Sequence, residues 1–187
     1  MIHAEIKVTG TNELKKKLKM LGDKAPTAMC RAINDAAKKA RTEMDRKVRE
    51  EYTVKQGPIL SSLKIDRANS QNLKATVHSE GKAIQLAQFK TSPTKASPKR
   101  KKPIAVSVKK SGGRKPLSGD PKAFIATIKG EKIVAERTST QRGPLKGLFG
   151  PAVPSMIKNE DVISGVKDET EKRLAERLDH YIQYYTK

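Results

Sequence analysis

One cysteine, no tryptophan, three phenylalanines and four tyrosines are all that this 187-residue chain holds of the residues that usually staple or fill a core. With Cys30 alone, no internal disulfide can close and no four-ligand thiolate site can form, so a reducing, intracellular assembly environment is expected. An apolar content of 35% with so few aromatics predicts a modest core. No apolar run nears the ~20 residues a membrane helix needs. The opening MIHAEIKVTG also lacks the charged-then-apolar order of a signal peptide, so a soluble protein without membrane contact is expected.

Catalytic constellations are missing as well. His3, His78 and His180 have no second histidine or paired cysteine at metal-binding spacing, and each reads as a structural or surface residue. Glu50-Glu51 and Glu160-Asp161 are adjacent acids on helices, where neighbouring positions point apart. Gly112-Gly113-Arg114-Lys115 lacks the spacing of a phosphate loop. The chain is therefore expected to be no enzyme and to hold no cofactor and no metal.

Acid is scarcest between Gly81 and Gly119, which contain neither Asp nor Glu but eleven Lys and Arg residues. The formal charge of the chain is +20, enough self-repulsion to weaken an isolated compact state and to call for a partner. Pro93, Pro98 and Pro103 remove backbone donors in TSPTKASPKRKKP, which predicts an extended basic loop or insertion over 90–122. Lys95, Lys99, Arg100, Lys101, Lys102, Lys109, Lys110, Arg114 and Lys115 are the expected contacts to an anionic partner, either DNA or an acidic protein neighbour. A merely solvated lysine-rich loop is the alternative. No aromatic lies between Phe89 and Phe124 for bases to stack on, so only backbone phosphate contact without base preference is open.

Periodicity supplies the elements. Ile2, Ala4, Ile6 and Val8 alternate as a half-buried strand, and a helix capped by Thr11 or Asn12 follows, with Leu14, Leu18 and Leu21 on one face. Gly22-Asp23 ends it, and Pro26 suits the first turn of a longer helix reaching about Tyr52. Its stripe is Met29, Ala32, Ile33, Ala36, Ala37, Ala40, Met44 and Val48, and small residues at 28, 32, 36 and 40 admit a close neighbour.

Thr53 is expected to cap a short helix to Leu63, interrupted at Gly57-Pro58. KIDRA and LKATVHS read as a hairpin, Ile84 to Phe89 and Ile104 to Val108 as short strands, and AFIATI with KIVAER as a hairpin turned at Gly130. RGPLKGLFGPAVPSM reads as an irregular apolar linker, in which Leu145, Leu148, Phe149 and Val153 need burial or a subunit interface. Asn159 opens a C-terminal helix over 159–185, with Val162, Ile163, Val166, Thr170, Leu174, Leu178, Tyr181, Ile182 and Tyr185 as its stripe and Glu169–Arg173 as an outer ion pair. The fold class is a single α+β domain over 1–187. A small, mostly antiparallel sheet packs against a long alanine-rich helix and a C-terminal amphipathic helix, with a long basic loop.

Three stretches in this order, AMCRAINDAAKKARTEM, AFIATIKGEKIVAER and PLKGLFGPAVPSM, carry a resemblance to the phage minor tail protein Z group of tail-completion proteins. The last is the most specific: Pro144-Leu145, then Leu148-Phe149-Gly150-Pro151 and Val153-Pro154, is similar to the family's basic-aliphatic-Gly-Pro stretch. Where many relatives have Gly-His-x-Gly, this chain has Gly130-Glu131-Lys132-Ile133, so that turn is expected to differ. The resemblance implies a non-enzymatic virion protein of the tail or neck, made in the host cytoplasm. It implies a homo-oligomeric ring, a hexamer in the family, that sits between tail terminator and head-tail connector proteins around phage DNA. A sequence-independent nucleic-acid-binding basic protein is the competing expectation.

Overall fold

Gly22, with φ 50° and ψ −129°, takes a backbone conformation that other residues adopt only at a cost, and it lies in a 3-10 turn at Lys19–Lys24. Pro26 then sits in the first turn of helix α1, Ala25–Glu51, where its missing N–H is not needed. The computed structural model describes residues 2–9, 19–96, 101–119, 122–139 and 143–186. The helix expected from Thr11 onward, with Leu14 and Leu18, lies outside them, although Leu21 is buried.

The expected stripe of α1 is buried throughout, and Ala28, Ala32, Ala36, Ala37 and Ala40 are fully enclosed. These small side chains let α1 lie close to two neighbours at once. One is the three-stranded antiparallel sheet of β1, Ile2–Thr9, β3, Lys74–Gly81, and β2, Leu63–Asp66, with β3 in the middle. Pairing sets Ile6 opposite Val77 and Val8 opposite Ala75, the register that the period-two pattern requires. The other neighbour is the C-terminal helix α4, Glu160–Thr186, whose packing on α1 is the most extensive in the molecule.

Helix α2, Gln56–Ser62, begins after Lys55, and Thr53 does not cap it. Gly57-Pro58 falls in its first turn, where a proline interrupts nothing. Thr53 instead joins distant strands: its hydroxyl donates to the Ser107 carbonyl and accepts from the Lys90 N–H at 3.2 Å. Asn69 closes the β2–β3 turn by accepting from Gln71 and Asn72 N–H.

The span 90–122 is only partly irregular. After β4, Ala83–Gln85, and a 3-10 turn at Leu86–Gln88, the chain forms β5, Lys90–Ser92, β6, Ala105–Ser107, and β7, Lys115–Pro116, an antiparallel sheet in the order β5-β6-β7. The strand expected across Ile84 to Phe89 is thus broken at Leu86. Backbone bonds from Thr53 N to Val108 O, 2.9 Å, and from Lys110 N to Glu51 O, 2.8 Å, pin this sheet to the exit of α1. Strands β8, Phe124–Ile128, and β9, Glu131–Arg137, form the expected hairpin, with Lys129 and Gly130 at φ 50° and 82° in its turn.

The proline-rich segment is more ordered than its sequence suggests. It forms β10, Leu145–Gly147, on β9, then β11, Phe149–Ala152, on β4, then the short helix α3, Val153–Ile157. Each proline occupies a place where a missing donor is harmless: Pro144 precedes β10, Pro151 is in a strand paired on one side, and Pro154 is in the first turn of α3. On α4, Arg173 meets Glu176 at 3.4 Å and not Glu169, which lies 3.9 Å from Lys39 of α1 because that helix runs alongside.

Candidate functional site

The sheet β5-β6-β7 and the hairpin β8-β9 divide the basic residues into separate neighbourhoods. Lys95, Lys101 and Lys102 are exposed between β5 and β6, while Lys99 and Arg100 lie outside the described residues. Lys109 makes an isolated bridge with Tyr52 and holds its Nζ 5.7 Å from that ring. Together with Lys115 it borders a hollow of about 290 Å³ floored by Leu86, Val106, Val108 and Leu117. Lys110 and Arg114 are exposed elsewhere on the same lobe.

Lys95 and Lys102 converge on a cleft of about 440 Å³ between the chain after β5 and the β8-β9 hairpin. Lys122 and Arg137 complete its cationic lining, and Phe124 and Ile104 contribute to its apolar part. No carboxylate is among its lining residues. Arg137 lays its guanidinium 5.4 Å from the centre of the Phe124 ring, a cation–π contact. Lys132 of β9 donates to the Thr94 carbonyl at 2.6 Å and ties one wall to the other.

Sequence reasoning missed Lys122 and Arg137. The hairpin register holds a signal that would have found Arg137: Phe124 pairs with Ala135, so Arg137, two residues on, stands diagonally on the same face.

The four apolar interface candidates separate by burial. Val153 is enclosed at 2% exposure, Leu145 and Leu148 are half-buried, and Phe149 is 56% exposed. Burial of the whole group is thus not what the fold achieves, because β11 faces inward at Ala152 and turns Phe149 out. Beneath Phe149, Gly150 lets the backbone approach the Phe89 ring closely.

Charged groups elsewhere brace the helices. Asp35 of α1 accepts from Arg177 Nε at 2.8 Å and from the Tyr181 hydroxyl at 3.1 Å, which clasps α4. Arg177 is raised above its ordinary value, chiefly by its hydrogen bond to Tyr181 and also by Asp35. Burial alone would raise Glu43, yet hydrogen bonds from Lys39 and Arg46 outweigh it and hold the carboxyl below the usual range. Arg46 and Arg49 are raised by their bonds to Glu43 and Asp45. His78 pairs with Asp66 at 3.3 Å, and His180 meets Tyr181 edge-on. Cys30 donates its thiol to the Ala68 carbonyl at 3.3 Å. Among the described residues no group of three or more His, Cys, Asp or Glu side chains could hold a metal ion, and no helix is long and apolar enough to cross a membrane.

What the geometry presents is an α+β body whose chemistry lies at its surface, in a cationic cleft and an exposed apolar edge. Residues 8–187 match the family model of the prophage minor tail protein Z (GPZ), and the chain belongs to that family. It is a phage minor tail protein, with a structural role in the tail of the virion. No curated protein and no solved structure matches it.

Proposed function

We propose that this minor tail protein is a non-enzymatic tail-completion protein that forms a ring at the head-proximal end of the tail and supports head–tail joining around the DNA channel. The observation that carries this reading is Phe149. A large apolar side chain 56% exposed, in the stretch most similar to the family, fits an anchor for a neighbouring subunit. A ring needs heterologous contacts, in which one patch of a copy meets a different patch of the next. Such contacts also offset a net charge of +20, which a lone protomer must carry unaided. A hexameric ring, flanked by the tail terminator and the head–tail connector, is the arrangement this reading adopts.

Native mass spectrometry and negative-stain imaging of the purified chain test it. A closed ring is expected for the wild type. Phe149→Asp is expected to shift the population toward monomer while circular dichroism stays unchanged. A chain that remains monomeric at high concentration and binds duplex DNA with a steep salt dependence would instead be a sequence-independent nucleic-acid-binding protein.

A further inference from the structure

Helix α4 carries, on its outward side, the acidic counterpart of the cleft. Asp161, Ser164, Asp168, Glu171 and Ala175 follow one another at three- and four-residue steps, so they share one face, and all five are exposed. Ser164 and Ala175 are small and leave the carboxylates open to close approach. Lys167 and Lys172 are also exposed on this helix, but between Asp168 and Glu171 the carboxylates stand one turn apart without an ion-pair partner among the described residues.

Given the ring reading, we infer that the cleft formed by Lys95, Lys102, Lys122 and Arg137 receives the Asp168–Glu171 face of α4 from a second copy of this chain. Within one copy the two surfaces stand on different elements. The cleft belongs to β8, β9 and the chain between β5 and β6, whereas α4 packs on α1 and the Lys19–Lys24 turn. The contact is therefore heterologous, the kind that builds a ring when its rotation closes. A cleft of about 440 Å³ suits a few side chains, and its cations have no carboxylate of their own among the lining residues. Complementary charge at such a contact sets register and speeds encounter.

Nucleic acid fits the cleft less well. Phe124 is half-buried and already carries the Arg137 guanidinium near its ring, so no free aromatic face is offered to a base.

Reversing charge on each side separately tests the inference. Lys102→Glu/Lys122→Glu alters only the cleft, and Asp168→Lys/Glu171→Lys alters only the helix; all four side chains are exposed, so folding is not at stake. By analytical ultracentrifugation, each variant alone is expected to show subunit association weakened by at least about tenfold. An equal mixture of the two should assemble again, because each reversed cleft then finds a reversed helix and each native cleft a native one. Both variants keep a large positive net charge, so bulk attraction does not produce that rescue. Lys110→Glu/Arg114→Glu, also exposed but outside the cleft, should not rescue the helix variant.

Wild-type rings with both reversed variants associating as tightly would overturn this pairing and leave the ring reading standing. A wild type that never associates would remove both. Loss of duplex DNA binding in the cleft variant, with subunit association unchanged, would assign the cleft to phosphate and overturn the inference.

Discussion

Gly150 marks how little room one position has. A Cβ there would stand 2.8 Å from Cε2 of Phe89, and Phe89 is itself buried in the core. Gly150→Ala is therefore expected to destabilise the fold by about 1–3 kcal/mol, read as a lower urea midpoint. Gly165 of α4 makes the contrasting case, because its added Cβ would meet the Lys47 side chain at 2.8 Å, and that flexible chain can swing aside. Gly165→Ala should be neutral or stabilising by up to about 1 kcal/mol, since a helix interior favours alanine; a clearly lower midpoint would show that Lys47 is held.

Glu43, 3% exposed, accepts from Lys39 Nζ at 2.8 Å and from Arg46 Nε at 2.7 Å. Its folded-state value is depressed, so its contribution to stability is full above the unfolded-state value and is lost as pH falls through the folded one. Glu43→Gln is expected to lower stability at neutral pH, with the gap to wild type narrowing in acid below the ordinary glutamate range. Urea titrations at the two pH values measure that difference.

At the scale of elements, α1 is the part on which the others are placed. Its fully buried alanines fit between the β1-β3-β2 sheet and α4 because they extend so little from the backbone. Ala36→Leu inserts bulk where there is none to spare and should cost about 1–3 kcal/mol in the same unfolding assay, with α-helical circular dichroism retained in the folded baseline. Wild-type stability for that variant would mean that the packing at Ala36 is loose. The elements with strong internal periodicity, namely β1, α1, the two hairpins and α4, were legible from spacing alone. The stretch 143–157 was not, because proline frequency reports lost donors and cannot say whether those donors had partners to lose. Thr53 misled for a related reason: a threonine before a helix is a common cap, but here its hydroxyl serves β5 and β6, more than thirty residues further along.

For the whole molecule, charge sets the terms. Forty Lys and Arg against twenty Asp and Glu leave a protomer whose like charges repel, and salt screens that repulsion within about 10 Å at 0.1 M ionic strength. The melting temperature of the isolated protomer is therefore expected to rise with sodium chloride; a fall would mean that the paired carboxylates of α1 and α4 outweigh the net charge. The basic stretch is also not one projecting loop. Part of it is a sheet pinned to the end of α1, so its cations are presented from a fixed body.

Composition and periodicity by themselves determined the α+β class, the alanine-rich helix, the amphipathic C-terminal helix and the excess of cations, since each depends on residues near one another in the chain. They also carried the family resemblance, in the segments at 28–44, 123–137 and 144–156. Only the tertiary structure decided which cations share a cleft, because Lys95 and Lys102 meet Lys122 and Arg137 through the pairing of separate strands. It alone decided that Val153 is enclosed while Phe149 faces out, because that outcome depends on how β11 is seated on β4, and no local spacing records the seating.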